Sequence, residues 1–297
     1  MAEWLHIGFD NVAKNLLNSF FKEQTFPNYI LDFRKNDYSQ QNYIFKIDGE
    51  DYQQNCHTLI SLDVAQRLAN IRVVSISIGY KDFEKLTSLL QQIIDNSNSS
   101  IAIVIFKKNQ EINKQLKEVL KGKYFLFNGV ADRISFIGKE KKVITEEKGK
   151  LLLPYDLLSF LPITSNYIFD NVEIMNDINL FLVHGLHATI AYFGCEKDLT
   201  YIWEVMHNYF EEVNQIKMIY QLYLEKEFPN SDINFKEEVN KVINRFSRLK
   251  EDTIKRVGKH PEIKCKRFGR LEPIFQNNTY ITTAVQSGIK KYKEKYN

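Results

Sequence analysis

Short apolar runs alternate with amphipathic segments through the first half of the chain. The runs predict strands at residues 5–7, 29–31, 43–47, 56–60, 72–78, 101–106 and 124–127. Helical spacing of apolar residues predicts helices at residues 12–21, 63–70, 82–96 and 111–120. Continuous apolar runs are typical of strands buried on both faces of a parallel sheet. The repeated alternation therefore predicts a doubly wound α/β fold.

The pattern changes after about residue 165. Residues 172–193 and 199–226 keep helical spacing without a proline, and residues 235–249 form another predicted helix. Beyond them the spacing stays helical except at two proline turns. The sequence therefore predicts a Rossmann-like α/β domain with a twisted, mostly parallel sheet over residues 1–165. An all-α domain follows over residues 166–297, with a cleft between the two.

Composition narrows the class of protein. The chain has 297 residues, 44% of them hydrophobic, which is enough for two cores. A net charge of +3 does not indicate a nucleic-acid partner. Cys56, Cys195 and Cys265 are far apart, which favours a reducing cytoplasm over a disulfide framework or a metal site. No uninterrupted apolar run reaches the roughly 18–20 residues that span a bilayer, so no membrane partner is expected.

The segment after the first strand matches a dinucleotide-binding turn at all but one position. Gly8 fits the glycine of the tight turn, and Ala13 fits the small residue that lets helix and strand pack closely. Asp10 stands where a second glycine would approach the pyrophosphate. Like charges about 4 Å apart at an effective dielectric near 20 cost about 4 kcal/mol, roughly a thousandfold in affinity. The sequence therefore argues against NAD binding in the usual mode.

An acidic residue completes this predicted nucleotide site. Asp32 ends the second strand. It follows the glycine turn by roughly the 20 residues at which an acidic residue hydrogen-bonds the ribose 2′-hydroxyl and selects NAD. The turn also contains Asn11, and Gly79 ends the strand at residues 72–78. The predicted cofactor-binding residues are Gly8, Asp10, Asn11, Asp32 and Gly79.

Several strings, in order along the chain, carry a family resemblance. They are LHIGFDNV at 5–12, NGVADRI at 128–134, FLVHGLHATIAYFG at 181–194 and RVGKHP at 256–261. Together they resemble the mannitol-1-phosphate 5-dehydrogenase family of polyol-specific long-chain dehydrogenases. The resemblance implies oxidation of a sugar alcohol or sugar-alcohol phosphate with NAD and without a metal.

The resemblance also implies a site of four polar groups: a lysine base, an asparagine and a histidine on one helix, and an asparagine at a strand end. His187 matches the histidine and Asn109 the strand-end asparagine, while Asn179 replaces the lysine and His184 the helix asparagine. A carboxamide has no proton equilibrium near neutral pH, whereas a histidine has. Helical spacing predicts that Asn179, His184 and His187 share one face. A metal held by the two histidines and Asp177 lacks a fourth ligand, so none is expected.

Two interpretations of this helix remain. In the first, the ordinary NAD-linked polyol oxidation is lost or altered, and the protein is a binding or regulatory pseudoenzyme with a protein partner. The damaged turn favours this interpretation, and residues 209–228 are its candidate exposed apolar patch. In the alternative, the protein is an active NAD-dependent sugar-alcohol(-phosphate) dehydrogenase. His184 or His187 then replaces the base, and Lys107 or Lys108 supplies positive charge to the alkoxide.

Overall fold

The computed structural model describes most of the chain, in two compact units. The described residues are 3–8, 29–31, 39–47, 50–59, 68–78, 83–106, 110–132, 135–137, 143–145, 150–160, 172–265, 269–277 and 279–296. Contacts group Met1–Asn176 into unit 1 and Asp177–Asn297 into unit 2. The predicted boundary at residue 165 lies outside the described residues. Both this boundary and the predicted cleft therefore stay predictions.

Unit 1 is built on a twisted sheet. Its strands are β1 (Glu3–Ile7), β2 (Tyr29–Leu31), β3 (Ser39–Ile47), β4 (Glu50–Leu59), β5 (Ile71–Ile76), β6 (Ile101–Ile105), β7 (Tyr124–Asn128), β8 (Val130–Asp132), β9 (Ser135–Ile137), β10 (Val143–Thr145) and β11 (Lys150–Leu152). The main sheet has the order β7-β6-β5-β1-β2-β4-β3-β10-β9, and β8 pairs separately with β11. The strands from β7 to β4 in this order all run parallel.

These six parallel strands have the order of a dinucleotide-binding fold. Taken in chain order, β1, β2, β4, β5, β6 and β7 lie in the 3-2-1-4-5-6 arrangement. The order reverses between β1 and β5, and the carboxyl ends of those two strands form the switch point at which such folds bind ligands. The predicted Rossmann-like fold class is confirmed.

The β3–β4 hairpin is longer than its predicted strands. Nine residue pairs join the two strands in antiparallel register, from Ser39 opposite Thr58 to Ile47 opposite Glu50. Many of its residues are polar, so apolar runs alone underestimated its length. The short pair β8–β11 was also missed, because three-residue strands carry too little periodicity to identify.

Two helices and the apolar strands form the core of unit 1. The helices are α1 (Phe83–Asn96) and α2 (Gln110–Val119), and short 3₁₀ turns lie at Leu68–Asn70 and Tyr155–Ser159. The β1, β5 and β6 strands are almost wholly buried, as predicted for central parallel strands. Helix α1 packs Leu86, Leu90 and Ile93 into the same core. The predicted helix at 12–21 lies outside the described residues.

Unit 2 is helical, which confirms the predicted all-α C-terminal region. The helices are α3 (Val172–Asn179, which begins in unit 1), a π-helix (Leu180–Gly185), α4 (Leu186–Glu196), α5 (Ile202–Asn208), α6 (Phe210–Glu227), α7 (Phe235–Arg248), α8 (Ile254–Val257), α9 (Pro261–Lys264), α10 (Glu272–Phe275) and α11 (Tyr280–Tyr296). Helix α4 is the centre of the unit and is buried on all sides. Helix α11 approaches it closely, since a Cβ atom on Gly288 would overlap the Tyr192 carbonyl.

A π-helix interrupts the long helix that the sequence predicted over residues 172–193. It covers Leu180–Gly185, between Asn179 and His187. The whole segment Val172–Glu196 is long and apolar enough to cross a membrane, although the sequence analysis found no uninterrupted apolar run. Its apolar window is 83% buried inside the protein, as in the core helix of a soluble protein. Short π-helices inside α-helices are frequent at functional sites.

Candidate active site

Gly8 lies at the switch point, immediately after β1. Its φ of +114° is a conformation that favours glycine, and its N–H donates to the Leu31 carbonyl at 2.8 Å. A Cβ atom here would lie 2.8 Å from both Ile78 Cγ2 and Ser77 Oγ. The backbone conformation and the close neighbours at this position therefore require glycine, as the first position of a dinucleotide-binding turn does.

A cluster of buried polar side chains connects β1 with β5 and with the residue that follows β5. Trp4 Nε1 donates to Ser75 Oγ at 2.7 Å. The two ring nitrogens of His6 lie 2.6 Å from Ser75 Oγ and 3.1 Å from Ser77 Oγ. The four side chains are almost wholly buried. We call these residues the β1–β5 cluster. Sequence reasoning missed it, because Trp4 to Ile7 has the pattern of an apolar strand.

The other predicted residues of the N-terminal half are Asp10, Asn11, Asp32, Gly79 and Asn109. They lie outside the described residues, so their predicted roles stay predictions.

His187 is held in place by contacts from two other elements of unit 2. Its ring stacks on Phe246 of α7, with centroids 4.1 Å apart and planes 14° from parallel. Its Nε2 atom lies 3.0 Å from Asp252 Oδ2, an ion-pair distance. The imidazole plane is therefore fixed beside a carboxylate.

Asp252 is fully buried and binds two basic groups at once. Arg256 donates from Nε to Oδ1 at 2.7 Å and from Nη2 to Oδ2 at 2.8 Å. Burial alone would raise the pKa of the Asp252 carboxyl. The attraction of His187, with the hydrogen bonds and charge of Arg256, outweighs burial and lowers this pKa to about 2. Asp252 is therefore a carboxylate at neutral pH.

Lys264 and Arg270 bring further positive charge into the interior of unit 2. Lys264 is only 7% exposed, and its Nζ donates to the Val257 carbonyl. Burial, followed by the charges of Arg270 and Arg256, lowers the pKa of Lys264 to about 7. Burial also lowers the pKa of Arg270. We call His187, Asp252, Arg256 and Lys264 the charged cluster.

Contrary to the sequence prediction, the structure does not place Asn179, His184 and His187 on one face of a helix. His184 is exposed, whereas Asn179 and His187 are buried. The expectation assumed α-helical spacing, and the π-helix places more residues in each turn. Asn179 Nδ2 has no hydrogen-bond partner among the residues that the structure describes. A buried donor without a partner costs free energy, so this amide is suited to bind a ligand oxygen.

Sequence reasoning missed Asp252, Lys264 and Arg270, and it gave Arg256 no role. Arg256 lies in the string that carried the family resemblance, but its partner Asp252 becomes visible only in three dimensions. Within the described ranges, no group of three or more His, Cys, Asp or Glu side chains could hold a metal ion.

Two curated relatives carry the same name. A mannitol-1-phosphate 5-dehydrogenase of Thermoanaerobacter pseudethanolicus is 23% identical over 308 residues, covering 91% of this chain and 79% of the relative. One of Mycoplasmopsis pulmonis is 23% identical over 204 residues, covering 67% of this chain and 52% of the relative. The chain is similar to the mannitol dehydrogenase-like family. This confirms the predicted resemblance, although no family model matches the chain.

Solved structures agree on the fold. Mannitol 2-dehydrogenase of Pseudomonas fluorescens, in a ternary complex with NAD and D-mannitol, matches with a TM-score of 0.65 at 13% identity. The match covers 98% of this chain and 79% of that one. A ketopantoate reductase from Staphylococcus aureus matches with a TM-score of 0.53 at 12% identity, covering 99% and 100%. At these identities the likeness supports the fold alone.

Proposed function

We propose that the chain is an NAD-linked oxidoreductase that acts on a CH–OH group of a sugar alcohol or its phosphate. The observation that carries the proposal is the buried contact of His187 with Asp252, held by Arg256. Buried ion pairs often add little to stability, so stability alone does not explain this one. Buried charged groups with shifted pKa values are typical of functional sites. The names of the relatives supply the substrate class.

NAD would be held at the switch point, where Gly8 already has the required conformation. Asp32 is the predicted partner of the ribose, and Asn11 and Gly79 are predicted to line the same site. The repulsion predicted for Asp10 stays a prediction that the experiment below tests. When bound, NAD accepts the hydride of the alcohol.

The residues of unit 2 would orient the alcohol. Asp252 and Phe246 fix the imidazole of His187, so a hydrogen bond from that ring to the substrate oxygen costs little reorganisation. Asn179 Nδ2 would donate to another substrate oxygen. Asn179 cannot take the proton that leaves the hydroxyl, so the base must be another group. A reducing cytoplasm is the compartment that we propose.

A binding or regulatory protein is the second candidate. The loss of the lysine at Asn179 and the predicted effect of Asp10 both favour it. The predicted apolar patch at residues 209–228 adds an observation, since Met218 and Leu222 there are about 60% exposed and line a groove. Such exposed apolar surface is typical of interaction sites.

Calorimetric titration with NAD and NADH separates the two candidates. We expect micromolar binding to the wild-type chain, followed by reduction of NAD with sugar alcohols or their phosphates. Asp10→Gly is the matched variant, and it should bind NAD more tightly if the carboxylate repels the pyrophosphate. No binding of either cofactor at millimolar concentration to both proteins would overturn the oxidoreductase proposal and favour the second candidate.

A further inference from the structure

The proposed oxidation needs a group that accepts the hydroxyl proton, and this inference rests on that proposed function. Asn179 cannot serve, because a carboxamide is not a base near neutral pH. His184 is exposed, and His187 pairs with the Asp252 carboxylate at 3.0 Å, a contact that orients the imidazole. Unit 2 contains another buried titratable group besides His187, the amine of Lys264.

Lys264 is linked to His187 through Asp252, Arg256 and the peptide bond between Arg256 and Val257. His187 contacts Asp252, and Asp252 binds the Arg256 side chain through both carboxylate oxygens. Arg256 is followed in α8 by Val257, whose carbonyl accepts a hydrogen bond from Lys264 Nζ. The amine therefore lies at the end of the helix that carries Arg256, inside the same buried cluster.

The surroundings of Lys264 disfavour its ammonium form. Burial is the largest cause, and Arg270 and Arg256 add positive charge from two other segments. Glu262 of the same short helix and the neighbouring Cys265 act in the opposite direction and only partly offset these effects. The pKa of about 7 compares with about 10.4 for an ordinary lysine, so much of the amine is neutral at physiological pH. A neutral lysine is a competent general base.

We propose that Lys264 is the proton acceptor of this oxidoreductase and replaces the lysine that Asn179 has displaced. The alcohol carbon loses a hydride, which NAD takes up, and a carbonyl double bond forms. The O–H bond breaks, and its proton goes to the lone pair of Lys264 Nζ, which becomes an ammonium group. Asn179 and His187 remain as hydrogen-bond donors to the substrate. Catalytic pKa values near the working pH make such transfers efficient.

A titration of the free protein tests the state of Lys264 without any turnover. The full chain is labelled at the lysine ε-carbons with ¹³C, and the Lys264→Met spectrum assigns the signal of this residue. We expect that signal to titrate near pH 7. Lys241 is the matched control, because it is exposed and its hydrogen bonds to Glu237 and Glu238 raise its pKa. Titration of Lys264 with the surface lysines near pH 10 would overturn the proposal.

Kinetics separates a base from a charge that merely binds substrate. Lys264→Arg keeps the positive charge but cannot release its proton at working pH, so kcat should fall roughly a hundredfold or more. NAD affinity and KM should change little, and Lys241→Arg should keep full activity. Lys264→Ala should regain rate with added primary amines, in proportion to their basicity.

The outcomes distinguish failure of this inference from failure of the proposed function. A Lys264→Arg variant with wild-type kcat would overturn the role of Lys264 and leave the oxidoreductase intact. Absence of cofactor binding and turnover in the wild-type chain would overturn both. Amine rescue of Lys264→Ala, together with a bell-shaped pH profile whose acidic limb near pH 7 disappears in that variant, would support the inference even if Lys264→Arg fails to fold.

Discussion

The two units bury polar side chains in opposite ways. The β1–β5 cluster of unit 1 contains no carboxylate, lysine or arginine, and its side chains hydrogen-bond one another. The charged cluster of unit 2 places one carboxylate beside a permanent cation, Arg256, and two titratable side chains, His187 and Lys264. A satisfied hydrogen-bond network makes a core rigid at little cost, whereas buried charges carry a large desolvation penalty. The first arrangement therefore serves the fold, and the second is more consistent with chemistry.

Removal of the carboxylate should produce the largest effect. Asp252→Asn leaves Arg256 and His187 without their buried anion, and we expect a loss of about 3 kcal/mol in the free energy of unfolding. Urea denaturation of both proteins measures it. Asp198→Asn is the control, because Asp198 pairs with Lys291 at 2.6 Å on the surface. An equal loss in the two variants would show that burial of the charge is unimportant.

Acid should weaken the protein through the same carboxylate. The pKa of Asp252 is about 2 in the folded chain and about 3.9 in an unfolded one, so the unfolded state binds the proton first. The resulting stabilisation, about 3 kcal/mol, is complete above pH 5 and is lost as the pH falls through 2. Unfolding free energies between pH 6 and 2 should show this loss in the wild-type chain and a shallower slope in Asp252→Asn. Parallel slopes would contradict the assignment.

A side chain on Gly8 should disturb unit 1 with a somewhat smaller effect. Gly8→Ala places a Cβ at positive φ against Ile78 and Ser77, which we expect to cost about 2 kcal/mol and to abolish the proposed binding of NAD. Thermal unfolding and calorimetry measure the two effects. Ser77→Ala in the same background removes only one of the clashes and should restore little. Full restoration would mean that the positive φ is unimportant.

The smallest effect is expected within the β1–β5 cluster. Ser75→Ala deprives both Trp4 and His6 of a buried hydrogen-bond partner and should cost roughly 1–2 kcal/mol. Lys264 lies in the other unit, so its titration should be unchanged. A shifted Lys264 titration in this variant would show that the two clusters are coupled.

The parts of the fold that sequence could predict are those that local pattern determines. Strands β1, β5 and β6 are continuous apolar runs, and burial on both faces follows from that composition. Gly8 was predicted from its place in the dinucleotide-binding pattern, and its φ of +114° explains why glycine stands there. The β3–β4 hairpin was underestimated because polar residues in paired strands leave no apolar run.

The charged cluster could not be predicted in the same way. His187 and Asp252 lie 3.0 Å apart in space, but no periodicity links helix α4 to the turn before α8. The chemistry of Lys264 depends on burial and on the charges of Arg256 and Arg270, which only the folded chain supplies. Sequence did identify Asn179 and His187 as positions of interest, through the family resemblance and not through their spacing.

The π-helix between these two positions has a consequence for how the site can change. Each turn of such a segment contains one residue more than an α-helical turn, so it acts as an insertion. Deleting one residue from Leu180–Gly185 would let the segment rewind as an α-helix, and the rewinding would offset the rotation of about 100° that one α-helical residue contributes. Asn179 and His187 should then keep nearly the same orientation about the helix axis relative to each other. At this place the buried helix should therefore tolerate the loss of one residue better than it would within α4.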